Sequence, residues 1–221
     1  MPARLPRFFA ESRALGTLAL PIILSQLAYS LLGLIDTVMA GQAGAADQAA
    51  VALGVALWLP VFLALMNVVQ ALSPIVAHHF GAGDHAAIVR DTHQGLWLTL
   101  AFSLLPLGLM PAVAPFMLWA KIDPPLIEKT VLFLWGILLG LPAALLFRTL
   151  SFYCASINRT RPMMVLAFVG LGINALFNWL LIWGHWGFPA LGGPGCGWAT
   201  GIGMWFSLIA LAAWVSEKRG R

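Results

Sequence analysis

Charge is scarce in this sequence. Only 9% of its 221 residues are Asp, Glu, Lys or Arg, against about a quarter in an ordinary soluble domain. Twelve basic and eight acidic side chains cannot coat a water-soluble globule of this length. A soluble enzyme, a disordered chain and a nucleic-acid binder are therefore set aside. Cysteine is scarcer still. Cys154 and Cys196 are too few for a disulfide framework. Catalytic signatures are missing too: there is no GxSxG elbow, no HExxH, no phosphate-cradling loop and no pair of intramembrane acids. The chain is not expected to be an enzyme. His78, His79, His85 and His93 crowd one connection, but without Cys or helical i,i+4 pairing they do not read as a metal site.

What is present is apolar. Hydrophobic residues make up 61% of the chain, and the mean hydropathy is +0.90. Apolar runs lie near 14–40, 49–76, 95–118, 130–153, 163–184 and 198–215. A spanning helix needs about 20 such residues, so the expectation is an all-α integral membrane protein with six transmembrane helices. The first run follows Arg4, Arg7 and Arg13, as a signal peptide would. It is too long for one, and it carries Gln26, Tyr29 and Asp36. Connections at 41–48, 78–93, 119–128, 154–162 and 184–197 are rich in turn residues. With no linker or low-complexity segment, 1–221 reads as a single unit. Pro21, Pro60, Pro106, Pro111 and Pro142 fall inside runs and are expected to mark kinks.

Lys and Arg set the orientation. Arg4, Arg7, Arg13, Arg90, Arg148, Arg159, Arg161, Lys218, Arg219 and Arg221 fall on one side of a six-span topology. Only Lys121 and Lys129 fall on the other. Both termini are thus expected in the cytoplasm, with Cys154 and Cys196 on opposite faces, unable to bridge.

Polar side chains inside spans mark packing or function. Asp36 is the one acid well inside a run, and helical spacing places Gly33, Tyr29 and Gln26 on its face. That face is expected to look into the protein or a cavity. The fifth run carries Asn174 and Asn178, one turn apart, and the sixth opens with Thr200 among glycines. At about 1.5 Å per residue, Asp36 lies ~30 Å from the inner end, Asn178 ~22 Å and Asn174 ~16 Å, while Thr200 sits near the outer end. Asp36, Asn178 and Thr200 can therefore share a layer, with Asn174 a turn deeper. An acid among amides and a hydroxyl suits a proton or a hard cation such as Na⁺. Two plainer readings stay open: Asp36 as an interfacial residue reaching headgroup water, and the Asn pair as interhelical glue. Asn67, Gln70, Ser73 and Pro74 form a further face, for which packing is expected. Gly136 and Gly140 make a GxxxG, also read as packing.

In order along the chain, "LALPIILSQLAYSLLGLIDTVMAG", "SPIVAHHFGAGD", "GLP" at 140–142, "NRTRP" at 158–162, "NALFNW" and "GHWGFPALGGPGCGWAT" resemble the first half of the multidrug and toxic compound extrusion (MATE) family, in its NorM-type branch. His78 departs from the family's usual Gln. The resemblance implies one six-helix lobe of a twelve-helix transporter in a bacterial-type inner membrane. It implies a secondary antiporter that exports cationic or amphipathic drugs in exchange for H⁺ or Na⁺. No cofactor beyond the coupling ion is implied. The family's first-helix acid carries to Asp36, and its polar companions to Asn174, Asn178 and Thr200. Gln26 and Tyr29 are candidates for the substrate path, and Pro21 or Gly33 for a bend. The expected partners are the lipid bilayer, drug-like organic cations, and a missing second lobe or a second copy; nucleic acid is not among them. The resemblance implies that residue 221 falls at the family's lobe boundary. Two alternatives remain, a truncated non-transporting fragment and a flippase of lipid-linked substrates from the wider superfamily.

Overall fold

A computed structural model describes residues 4–156 and 161–219. Arg159 and Arg221, and most of the 158–162 motif, lie outside the described residues. The described chain is helical almost throughout: α1 (Arg4–Ala43), α2 (Ala45–Gln70), α3 (Leu72–Ala82), α4 (His85–Trp119), α5 (Pro124–Ser156), α6 (Arg161–Trp183) and α7 (Gly195–Arg219). Among the described residues, six segments are long and apolar enough to cross a membrane, α2 and α3 together making one of them (Ala45–Ala82).

The breaks have local causes. Only Gly44, at φ 151°, separates α1 from α2. Pro74 has no N–H to return to the carbonyl four residues back, and α2 gives way to α3 at Ala71, just ahead of it. Gly83 closes α3 in the left-handed region at φ 73°, and the Asp84 carboxylate caps α4 by accepting from the Ala87 N–H at 2.9 Å. The connection expected at 78–93 is therefore mostly helix, reduced to Gly83 and Asp84. The two helices that meet there are capped by Gly83 and Asp84, so the polar composition of the stretch does not unwind them. The prolines expected to mark kinks all lie within unbroken helices, and α1 passes through Pro21 and Gly33 without interruption.

α5 is the central helix. It packs on α7, α2, α4 and α3, whereas α1 rests on α6 and α2. In hydrocarbon there is little hydrophobic drive between helices, so close backbone approach carries the packing. Gly136 and Gly140 of α5 face Gly197 and Gly201 of α7. A Cβ at Gly136 would stand 2.5 Å from the Trp198 nitrogen, and one at Gly140 2.6 Å from the Gly201 Cα. A Cβ at Gly197 or Gly201 would strike the carbonyl of Phe133 or Gly136. This seam, the expected packing role of the GxxxG, sets the height of α7 against α5. Thr99 and Thr149 share a buried hydrogen bond of 3.0 Å between α4 and α5. The Thr130 hydroxyl reaches the Ala50 carbonyl of α2 at 3.3 Å. Phe133, Leu134, Ile137, Leu141 and Leu145 belong to α5, the largest single contributor to the main core, which also holds Trp58, Met110 and Cys196. Cys154 sits in a second cluster with Phe147 and Leu211, and the two thiols are not bridged.

Candidate functional site

α1 brings one carboxylate into the bundle, α6 two amides and α7 one hydroxyl, and these four groups close a ring. The Asn178 amide nitrogen donates to Asp36 Oδ1 at 2.6 Å and to Asn174 Oδ1 at 3.1 Å. The Asn174 amide nitrogen donates to Thr200 Oγ1 at 3.0 Å. The Thr200 hydroxyl donates to Asp36 Oδ2 at 3.1 Å. Asn174 and Asn178 are fully buried, Thr200 is buried and Asp36 is half-buried. One turn before Thr200, the Cys196 thiol lies 3.5 Å from the Asp36 backbone carbonyl, a second tie between α7 and α1.

The donor pattern has a chemical meaning. Each hydrogen of the Asn178 amide is used, and both carboxylate oxygens accept. That arrangement suits an ionised Asp36. A proton on Oδ2 would face the Thr200 hydroxyl proton, so one donor would have to turn away. Among the described residues, Asn178 Oδ1 is buried without a hydrogen-bond partner. A buried carbonyl oxygen beside a carboxylate is an available acceptor for a hydrogen bond or a cation.

The other predicted residues fall differently. Pro21 is buried on α1, while Gly33 is exposed, and a Cβ added there would meet nothing within 4 Å. Gln26 is exposed. The buried stripe of α1 runs through Pro21, Ser25, Ala28 and Ala40, while Gln26 and Gly33 face out of this six-helix bundle. Tyr29 is half-buried beneath Arg148, whose guanidinium carbon is 4.6 Å from the ring centroid. Arg148 lies about two turns inside α5, not at its end. Asn67 and Gln70 are exposed on α2 and glue no helices together among the described residues.

Sequence reasoning missed Asp47. Its carboxylate Oδ1 accepts from Lys129 Nζ at 2.9 Å and from the Gly193 N–H at 3.1 Å, joining α2, α5 and the α6–α7 connector. The available signals were an acid in the first turn of a helix and one of only two basic residues on that side.

An ionisable group held by amides inside an apolar bundle of membrane-spanning length marks a candidate functional site of a membrane protein. Its lineage follows from the sequence. The MatE family model matches residues 21–180, and the chain belongs to that family. It is 43% identical over 211 residues to a probable multidrug resistance protein NorM of Chromobacterium violaceum, covering 95% of this chain and 45% of that protein. It is 43% identical over 212 residues to the multidrug resistance protein PmpM of Pseudomonas aeruginosa, covering 96% and 44%. The chain spans about half the length of the curated relatives it matches. Two solved structures share the fold at 18% identity. One is an outward-facing multidrug resistance MATE family transporter, with a TM-score of 0.81 over 91% of this chain and 44% of that one. The other is an inward-facing one, with a TM-score of 0.74 over 84% and 41%.

Proposed function

We propose that this chain is the amino-terminal half of a secondary multidrug antiporter, exporting cationic or amphipathic drugs in exchange for H⁺ or Na⁺, with both termini in the cytoplasm. Asp36 is the coupling carboxylate, and Asn174, Asn178 and Thr200 hold it. The observation that carries this reading is the closed ring with its one unpaired buried oxygen on Asn178. Carboxylate, amide and hydroxyl oxygens are hard donors suited to Na⁺, and the carboxylate alone suits a proton.

Either ion acts on the ring as a competitor for the same lone pairs. Protonation converts an acceptor of Asp36 into a donor and releases Thr200. A cation draws in the oxygens and displaces the amide hydrogens that now hold Asp36. Either way the ties from α1 to α6 and α7 are rearranged: a proton removes one, and a cation replaces hydrogen bonds by shared coordination. α1 can then shift between arrangements with different drug affinity, which is all that coupling requires. Pro21 and Gly33 are the points where α1 can bend. Gln26, exposed on α1, is available to a substrate path.

The test is to co-express the chain with the second half of a relative and measure drug efflux under imposed pH and Na⁺ gradients. Asp36→Asn is expected to abolish ion-driven efflux while the two halves still co-purify. Efflux with unchanged ion dependence in that variant overturns the assignment.

A further inference from the structure

The connector that delivers the chain from α6 into α7 is held on two sides. On one side it folds back along the end of α6. The Leu191 N–H donates to the Leu181 carbonyl at 2.8 Å, and the Gly192 N–H to the Ile182 carbonyl at 3.2 Å. These bonds occupy carbonyls that a helix end leaves without intrahelical partners. On the other side it lies directly on Asp47. A Cβ at Gly192, whose φ is +65°, would stand 2.8 Å from Asp47 Oδ1, and one at Gly193 would stand 2.7 Å from the Asp47 Cβ. No side chain fits between the connector and the acid. The Gly193 N–H then donates to Asp47 Oδ1. α7 begins at Gly195, and Cys196 and Thr200, which touch Asp36, lie in its first two turns.

We infer that Asp47 is a positioning residue for the polar ring. By holding residues 192–193 against the start of α2, it sets the placement of the first turns of α7 and keeps Thr200 on Asp36. The inference rests on the reading of that ring as the ion-coupling site. Lys129 has a lesser part. Its side chain is 40% exposed and that of Asp47 12%. So the ion pair mainly orients the carboxylate, while the buried Gly193 N–H fixes the connector. Asp47 touches no ring member, and its effect passes wholly through the backbone of the connector and α7.

The test uses the 221-residue chain in lipid nanodiscs, with Cys154→Ala so that Cys196 is the sole thiol. Two readouts are taken: the rate at which a membrane-permeant maleimide modifies Cys196, and tryptophan fluorescence titrated with NaCl and with pH. Trp179 and Trp198 flank ring residues in sequence and serve as reporters. Asp47→Ala is expected to raise the Cys196 rate about tenfold by loosening α7 locally. It is expected to raise the half-saturating Na⁺ concentration, or shift the proton titration equivalently, by about tenfold. Lys129→Met, which leaves the Gly193 bond in place, is expected to change either readout by about twofold or less.

Lys129→Glu sits at a half-exposed position and covers the case in which Asp47→Ala does not fold. It sets two carboxylates against each other and is expected to raise the Cys196 rate about fivefold. Adding Asp47→Asn, which removes the repulsion and keeps an acceptor for Gly193, is expected to restore it. If Asp47→Ala folds with a wild-type Cys196 rate and a wild-type titration, or if Lys129→Glu leaves the rate unchanged, the positioning role is overturned. Failure of the ion-site reading looks different: wild-type and Asp36→Asn chains then titrate alike, and the Cys196 rates decide the anchor on their own.

Discussion

α1 and α5 have similar apolar compositions and opposite situations. In its most apolar window α5 is 72% buried within the chain, and α1 only 11%. The glycines of α5 touch backbone on α7, while Gly33 of α1 touches nothing. Leu20, Ile23, Leu27 and Leu34 of α1 are each more than half exposed. α1 is attached by its buried stripe of small residues against α6 and α2 and by polar ties: the ring at Asp36, the Cys196 contact and the Arg148 cation over Tyr29. Steric seams of the α5–α7 kind do not respond to an ion. Hydrogen bonds to a carboxylate do. On the proposed reading of Asp36, α5 and α7 are the frame and α1 is the element that a change at Asp36 releases.

The sharpest way to break this contrast is to force a side chain into the seam. Gly140→Leu is expected to cost about 3 kcal/mol, because the clash is with backbone that cannot rotate away. It should appear as a lost thermal transition or a polydisperse profile in detergent, and an unchanged melting temperature would refute a rigid seam. Thr200→Val comes next. It leaves the Asn174 amide without its acceptor and Asp36 Oδ2 without its donor, at about 2 kcal/mol, read as a lowered melting temperature of the purified chain.

Asp36→Asn removes the charge but keeps an acceptor for Asn178, so a stability loss of about 1 kcal/mol is expected. The ion titration of tryptophan fluorescence should disappear with it. Tyr29→Leu is expected to cost about 1 kcal/mol and Tyr29→Phe almost nothing, since the ring face is what Arg148 uses; equal melting temperatures for the two variants would remove the Arg148 tie. The smallest effect has the opposite sign. Gly33→Ala meets open space, so it should stabilise α1 by up to about 1 kcal/mol, while slowing efflux of the two-half assembly if α1 flexes there.

Much of this was legible in the chain alone. Six apolar runs announced six spans, because hydrocarbon thickness demands that length of apolar helix. Helical rise put Asp36, Asn178 and Thr200 at comparable depth, and the amides one turn apart on one face. The outward turn of Gln26 and Gly33 was not legible. Their face of α1 looked polar, but the face that is buried is chosen by what α6 and α2 offer. Nor was the helical character of 78–93, where two capping residues outweigh a polar composition.

The sequence by itself thus determined the helices, their membrane-spanning character and the identity of the one acid well inside an apolar run, all of which follow from local composition and period. Only the tertiary structure decided which oxygens and amides meet, that Asn178 Oδ1 is left over, and that Asp47 grips the connector into α7. Contacts between residues far apart in the chain, such as Asp47 and Gly193, leave no periodic trace. They arise from how helices are set against one another, and in this protein glycine seams and hydrogen bonds between helices take part in that setting.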